Sequence, residues 1–277
     1  MDARPASDPT YLTHASTEDI RRRFLVQGLM ASGEIRLTYL HEDRLVIGGA
    51  VPAGKPLRLE PDSPVKGSLF MRERELGILH VSGGAASVAV DDRTYDLDAG
   101  DMLYVGSGER AVSFLSRTVD APAHLYLASA RAHASYPDVR VPGAAVIPVD
   151  LGSPEKAGHR LLRKAIHPDH VRSCQLVMGY TVLEPGSVWN TLPAHLHDRR
   201  TEVYFYYGLG AGDRIVHLMG EPTETRHILV ADEEAVVSPP WSIHCGVGTA
   251  PYAFCWAMAG ENSDYGDMDP VGIEQLR

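Results

Sequence analysis

A chain of 277 residues, 44% of them hydrophobic, is long enough to bury one large core or two smaller ones. Its formal net charge of -10 argues against general binding to nucleic acid or to an anionic membrane, although a local cluster of cations can still bind a small anion. Its three cysteines are too few for a disulfide framework, and the sequence lacks the pattern of a signal peptide or of a membrane span. We therefore expect a reduced, cytoplasmic protein.

The first predicted element is a helix over residues 17–30, within an N-terminal segment of residues 1–35. Thr17 can cap this helix, and Ile20 and Phe24 mark its apolar side. After it, the pattern changes to short runs rich in β-branched and aromatic residues, separated by turn signals such as GG, DD and DAGD.

Regular short strands of this kind favour a mainly β protein made of sandwiches or small barrels. A proline-rich stretch near the middle of the chain reads as a connector between two halves. The predicted boundaries are residues 36–135 for an N-terminal barrel, 136–172 for the connector, 173–262 for a C-terminal barrel, and 263–277 for a polar tail.

The two halves share a weak internal similarity. The run RELGILHVSGGAASVAV has the rhythm of RTEVYFYYGLGAGDRIV, and this overlay places Glu75 on Glu202. The same overlay places Ser68, Phe70 and Ala111 on His195, His197 and His244. If the repeat is real, the first barrel keeps the scaffold without the metal ligands, and a structural or interface role is expected for it.

The strongest chemical signal is a set of three histidines and one glutamate in the C-terminal half. His195 and His197 are two residues apart, so both side chains point to one face if the segment is extended. Glu202 begins the strand-like run TEVYFYYG, and His244 follows a proline-stiffened turn in PPWSIHCG. Together they predict one divalent metal, with zinc favoured and Fe, Mn, Ni or Co left open.

The same residues, together with Gly208 and Pro239, resemble the two sequence motifs of cupins, although Trp241 stands where the second motif has glycine. A closer resemblance, to the 5-keto-4-deoxyuronate isomerase family, covers nearly the whole chain. The matching segments are RRFLV (22–26), EIRLTYLHEDRLVIGGAVP (34–52), RELGILHV (74–81), MGYTVLEPGSVWNTLPAHLHDRRTEVYFYY (178–207), GEPTETRHILV (220–230), SPPWSIHCGVGT (238–249) and MAGEN (258–262).

This resemblance implies a bicupin, that is, two tandem β-barrels of the jelly-roll type with a short N-terminal helix. It implies that His195, His197, Glu202 and His244 bind one zinc ion per subunit. It also implies a homohexamer that acts on a small anionic sugar acid in pectin and uronate degradation. In that reaction, 5-dehydro-4-deoxy-D-glucuronate is isomerised to 3-deoxy-D-glycero-2,5-hexodiulosonate by metal-assisted proton transfer through an enediolate.

The residue that moves the proton is not fixed by the sequence. His227, Tyr204 and Tyr206 are candidates beside a metal-bound hydroxide, and both tyrosines should share the face of Glu202. The candidates for binding the substrate carboxylate are Arg163, Lys164 and Arg226. Two other functions stay open, namely an Fe(II) cupin dioxygenase and a non-catalytic sugar-binding cupin.

Overall fold

The computed structural model describes residues 1–67, 69–261 and 264–277. Two positions used in the sequence comparison, Ser68 and Asn262, lie outside the described residues. Within these ranges, no helix is long and apolar enough to cross a membrane. The helical elements are α1 (Tyr11–His14), α2 (Thr17–Phe24) and the short 3-10 turns Phe70–Glu73, Gly143–Ala145, Pro154–Lys156 and Ile273–Gln275.

Short strands form most of the remaining regular structure, as the frequent turn signals predict. The described residues form β1 (Asp2–Arg4), β2 (Leu25–Val26), β3 (Ile35–Leu40), β4 (Val46–Ala50), β5 (Leu57–Arg58), β6 (Arg74–Ser82), β7 (Ala86–Val90), β8 (Arg93–Leu97), β9 (Met102–Val105), β10 (Val112–Ser116), β11 (His124–Arg131), β12 (Val139–Val141), β13 (Val149–Leu151), β14 (Arg160–Ile166), β15 (Val177–Leu183), β16 (Trp189–Asn190), β17 (His195–Leu196), β18 (Arg200–Tyr207), β19 (Ile215–Glu221), β20 (Glu224–Val230), β21 (Glu234–Ser238), β22 (Ile243–Gly248), β23 (Ala253–Gly260) and β24 (Asp269–Pro270).

The first compact unit comprises Met1–Arg4, Gly28–Ile147 and Ala165–Met178. Its described residues form a seven-stranded sheet in the order β1-β3-β4-β11-β6-β9-β12 and a four-stranded sheet in the order β5-β10-β7-β8. Alternating strand residues from both sheets, such as Ile78 and Phe114, are fully buried in one apolar cluster. This cluster is the core of the unit.

The second compact unit comprises Pro5–Gln27, Pro148–Lys164 and Gly179–Arg277. Its larger sheet has the order β13-β14-β15-β23-β18-β21-β2, and its smaller sheet has the order β16-β22-β19-β20. A separate two-stranded ribbon pairs β17 with β24. The strands β18 and β23 are buried along most of their length, so the larger sheet supplies much of the core.

The strand orders of the two units correspond to one another. In the larger sheets, β6 lies between β11 and β9, just as β18 lies between β23 and β21. In the smaller sheets, β10 and β7 are the central strands of the first unit, and β22 and β19 are those of the second. The predicted mainly β, jelly-roll class is confirmed, with two main sheets in each unit, besides the β17–β24 ribbon, instead of one closed barrel over the described ranges.

The N-terminal helix is shorter than predicted and has a different cap. Ser16, not Thr17, is the N-cap, because its hydroxyl accepts a hydrogen bond from the backbone N–H of Asp19 while the Asp19 carboxylate accepts one from the Ser16 N–H. The helix ends at Phe24, since Leu25–Val26 pair instead with β21. Sheet pairing therefore replaces the last helical turns that the local sequence pattern favours.

Candidate metal centre

The four predicted ligands come from separate elements of the second unit. His195 lies on β17, and His197 follows directly after that strand. Glu202 lies on β18 in the larger sheet, whereas His244 lies on β22 in the smaller sheet. The two sheets and the β17–β24 ribbon therefore each contribute to one cluster.

The ligating atoms of this cluster are close together. The Nε2 atom of His195 lies 3.2 Å from that of His197 and 3.0 Å from that of His244. The Glu202 Oε2 atom lies 2.9 Å from His197 Nε2 and 2.8 Å from His244 Nε2. All four candidate ligand atoms lie within 4.8 Å of one another, and three of the four side chains are buried.

This arrangement fits a small divalent cation. In a tetrahedral zinc site with metal–ligand distances near 2.0–2.1 Å, neighbouring ligand atoms are about 3.3–3.4 Å apart. Three imidazole nitrogens that face one another at such distances repel through their lone pairs unless a positive charge lies between them. The donor set, three nitrogens and one carboxylate oxygen, suits zinc and several other first-row metals.

A backbone carbonyl orients one of the ligands. His197 Nδ1 lies 2.9 Å from the carbonyl oxygen of Asp267, so this nitrogen donates its proton and Nε2 is left free to bind a metal. The same carbonyl accepts a hydrogen bond of 2.7 Å from Nη2 of Arg200, whose side chain is almost fully buried. Arg200 therefore holds the Asp267 carbonyl in place, and that carbonyl orients His197.

The charges in the cluster favour ligands without protons. Burial, followed by the neighbouring charge of His244, lowers the pKa of His195 to about 2. Burial alone would raise the pKa of Glu202, but the close imidazoles of His244 and His197 lower it below its ordinary value. Both groups are consequently ready to bind a cation at neutral pH.

A cavity of about 380 Å³ opens beside the cluster and is lined by His195, His197 and Glu202. Most of its remaining wall is apolar, with Leu151 and Leu162 among the lining residues. Its other polar and aromatic lining residues include Arg160, Lys164, Thr191, Tyr204, Trp256 and Tyr265. A small polar molecule that enters this space meets the candidate metal ligands, two cations and several hydroxyl groups.

One hydroxyl pair lies close to the ligands. Tyr204 Oη is 3.0 Å from Thr191 Oγ1, and the Tyr204 ring lies 5.2 Å from the His244 ring between centroids. Burial raises the pKa of Tyr204, so its hydroxyl keeps its proton. Thr191 has a φ angle of 48°, which a β-branched residue rarely adopts, and such strained backbone is common beside functional sites.

Comparison with known proteins decides the family. The model of the KduI/IolB family matches residues 24–270. The chain belongs to the KduI/IolB family. The predicted resemblance to this group of proteins is confirmed.

Full-length relatives from several bacteria carry one name. A protein of Kineococcus radiotolerans is 50% identical over 282 residues, covers 100% of both chains, and is named 4-deoxy-L-threo-5-hexosulose-uronate ketol-isomerase. A protein of Agrobacterium fabrum with the same name is 48% identical over 277 residues and covers 100% of this chain and 99% of its own.

Solved structures support the fold of this KduI/IolB member. An IolB-like protein from Salmonella typhimurium aligns with a TM-score of 0.68 at 17% identity, over 90% of this chain and 96% of its own. An oxalate decarboxylase from Lactobacillus farciminis aligns with a TM-score of 0.56 at 11% identity, over 83% of this chain and 80% of its own. At these identities, the likeness concerns the fold alone.

The structure brings some of the predicted substrate and catalytic residues to the cavity of this family member. Lys164 and Tyr204 line it. Tyr206 is buried on the same strand as Tyr204, but its hydroxyl lies 2.8 Å from His217 Nδ1, and it is not a lining residue. Tyr204 alone of the two tyrosines therefore faces the space beside the candidate metal ligands.

The other three predicted residues lie elsewhere. Arg163 packs over the ring of Tyr180 at 5.6 Å, and Arg226 pairs with Glu224 at 2.6 Å. His227 is exposed on β20. None of the three lines the cavity. Sequence reasoning missed several lining residues, Thr191, Trp256 and Tyr265 among them. It also missed Arg160, which alternation along β14 from Lys164 would have indicated once that strand was recognised.

Proposed function

We propose that this protein is an aldose–ketose isomerase that converts 5-dehydro-4-deoxy-D-glucuronate to 3-deoxy-D-glycero-2,5-hexodiulosonate. The observation that carries the proposal is the cluster of His195, His197, Glu202 and His244 beside a cavity, in a chain of the KduI/IolB family. Full-length relatives at 45–50% identity are named for this isomerisation. Such identity over the whole length supports a common reaction.

The four clustered residues would hold one zinc ion per subunit. When bound, the metal would act as a Lewis acid that polarises the oxygens on the two reacting carbons without redox chemistry. Glu202 and the three imidazoles would set the charge of the centre, and Asp267 with Arg200 would keep His197 in the required orientation.

The reaction moves a carbonyl group from C1 to C2, numbered from the aldehyde, together with two protons. C2 loses the proton on its carbon and the proton of its hydroxyl group and becomes the ketone, while C1 gains one proton on its carbon and one on its oxygen and becomes a primary alcohol. Tyr204 is the candidate to hold a proton at its Oη atom, since it faces the cavity and is positioned by Thr191. Leu151 and Leu162 line the same cavity, and an apolar wall of this kind strengthens the polar interactions beside it.

The resemblance that supports the reaction also supports its setting. We propose a cytoplasmic homohexamer that acts on uronates released from pectin. The net charge of -10 is compatible with an anionic substrate, since cations line the cavity itself.

The test is conversion of freshly prepared substrate, followed by NMR in H2O and in D2O, with the metal content measured on the same sample. We expect metal-dependent formation of the 2,5-diketo acid, inhibition by a chelator, and deuterium at the new C1 methylene in D2O. His244→Ala should abolish conversion, whereas His41→Ala, which changes an exposed histidine of the first unit, should not.

One result would contradict the proposed activity, and another would contradict the role of His244 as a metal ligand in the assay. Absence of conversion by protein that carries a full complement of metal would reject the isomerase activity. Equal loss of activity in His41→Ala and His244→Ala would show that the assay reports general damage to the protein and not loss of a metal ligand.

A further inference from the structure

Strand β14 directs two cations into the cavity. Because side chains alternate along a strand, Arg160, Leu162 and Lys164 share one face, and all three line the cavity. Arg163 lies on the opposite face, where its guanidinium packs over the Tyr180 ring. The cavity therefore has a positive wall that is built by strand register.

These two cations have no carboxylate partner among the residues that the structure describes. Arg160 donates from Nη1 to the carbonyl oxygen of Gly158 at 2.8 Å, and the Lys164 ammonium lies 4.3 Å from the centre of the Tyr265 ring. By contrast, Arg110 in the first unit is held by two carboxylates, those of Asp91 and Asp138. In a chain with a net charge of -10, two cations in one cavity without a carboxylate partner in the described ranges favour an anionic ligand there.

Arg160 is the better placed of the two to bind an anion. Its guanidinium is partly buried, and this burial lowers its pKa, so an incoming anion would compensate a charge that no described carboxylate pairs with. Arg160 lines the same cavity as Tyr204, whose ring lies 5.2 Å from the ring of His244. A planar guanidinium can also bind a carboxylate through two parallel hydrogen bonds, which an ammonium cannot.

We propose that Arg160 binds the carboxylate of the substrate and thereby directs the opposite, aldehyde end of the molecule to the four metal ligands. This inference rests on the proposed isomerase function. A carboxylate is itself a good ligand for a divalent metal, so a sugar acid can bind such a centre in the wrong orientation. Because Arg160 is not one of the four candidate ligands, its guanidinium offers the carboxylate a partner other than the metal and leaves that centre to the reacting carbons.

The test compares the natural substrate with its C6 amide, which has nearly the same shape and no charge. For the unchanged protein, we expect kcat/KM to be about 100-fold higher for the acid than for the amide, the scale of a charge-assisted bidentate contact. In Arg160→Gln this preference should fall to less than about 5-fold, mainly through slower reaction of the acid. Arg214→Gln, which changes an exposed arginine of the second unit, should keep the full preference.

A ratio between two substrates of one protein sample is insensitive to the fraction of folded protein. Arg160→Lys, which keeps the charge, should restore part of the preference for the acid. Preference for the acid that is unchanged in Arg160→Gln would overturn the inference, as would a greater loss in Lys164→Gln or Arg163→Gln. If the unchanged protein converts neither substrate, it is the isomerase function that fails and not the role of Arg160.

Discussion

A buried glutamate of the first unit supports the sharpest prediction about stability. Glu75 is fully buried, and its Oε1 atom accepts hydrogen bonds of 2.7 Å from the backbone N–H groups of Gln175 and Leu176. Its Oε2 atom accepts one from the backbone N–H of Cys174 and one from the hydroxyl of Tyr104, both also 2.7 Å long. One carboxylate thus satisfies four donors and holds the segment 174–176 against β6.

Glu75→Gln keeps the shape of the side chain but replaces one acceptor oxygen with an NH2 group. The least damaging orientation turns this group toward Tyr104, whose hydroxyl can rotate to accept, and leaves the N–H of Cys174 without its acceptor. Hydrogen bonds to a charged group contribute about 1.5–3 kcal/mol each, and an orphaned donor costs about 1–3 kcal/mol. We therefore expect the free energy of unfolding of the first unit to fall by roughly 2–4 kcal/mol.

Differential scanning calorimetry measures this effect as a shift in the melting temperature. Roughly 2–4 kcal/mol corresponds to a decrease of roughly 4–16 °C for a unit of this size. The matched control is Glu109→Gln, since that carboxylate is exposed and pairs with Arg72 at the surface, where such pairs contribute little. A melting temperature of Glu75→Gln within 1 °C of the control would refute the assignment of Glu75 as a structural clamp.

Three further substitutions test the second unit. Arg200→Met should weaken zinc binding about 10- to 100-fold in a chelator competition, because the Asp267 carbonyl that orients His197 loses its donor; unchanged affinity would exclude this role. Tyr204→Phe should keep the metal content but lower kcat about 100-fold with little change in KM, and an unaltered kcat would remove Tyr204 from proton transfer. Ser16→Ala should cost about 1 kcal/mol of stability in urea unfolding through loss of the helix cap, whereas Thr17→Ala should cost less.

The fold class could be predicted because it depends on local patterns that repeat along the chain. Alternating apolar residues and turn signals mark strands such as β6 and β18 without any knowledge of their partners. The order of the strands in each sheet depends on long-range pairing, for example of β18 with both β21 and β23, and local sequence patterns do not encode it. The predicted end of the N-terminal helix at Met30 was wrong because of such long-range pairing, since Leu25–Val26 pair with β21.

The candidate site also has one part that local sequence patterns predict and one part that depends on long-range strand pairing. His195 and His197 were recognisable as a pair because residues two apart on an extended segment share a face, and Glu202 follows within the same short stretch. Arg160 and Lys164 contact the cavity only because β14 takes its place in the larger sheet with one particular face inward. The sequence pointed to Lys164 and Arg163 together, and only the register of the strand separates them.

A buried glutamate occupies corresponding strands of the two units but has different neighbours in each. Glu75 and Glu202 lie near the beginning of corresponding strands, β6 and β18, and both carboxylates are buried. A buried carboxylate is stable only if donors or positive charge surround it. In the first unit the donors are three backbone N–H groups and the Tyr104 hydroxyl, whereas in the second unit three imidazoles surround the carboxylate at a distance that fits a shared cation. The neighbours of the buried carboxylate therefore decide its role. Surrounded by N–H donors it is a structural clamp, and surrounded by imidazoles it is a candidate metal ligand, although the order of the strands around it is the same in both units.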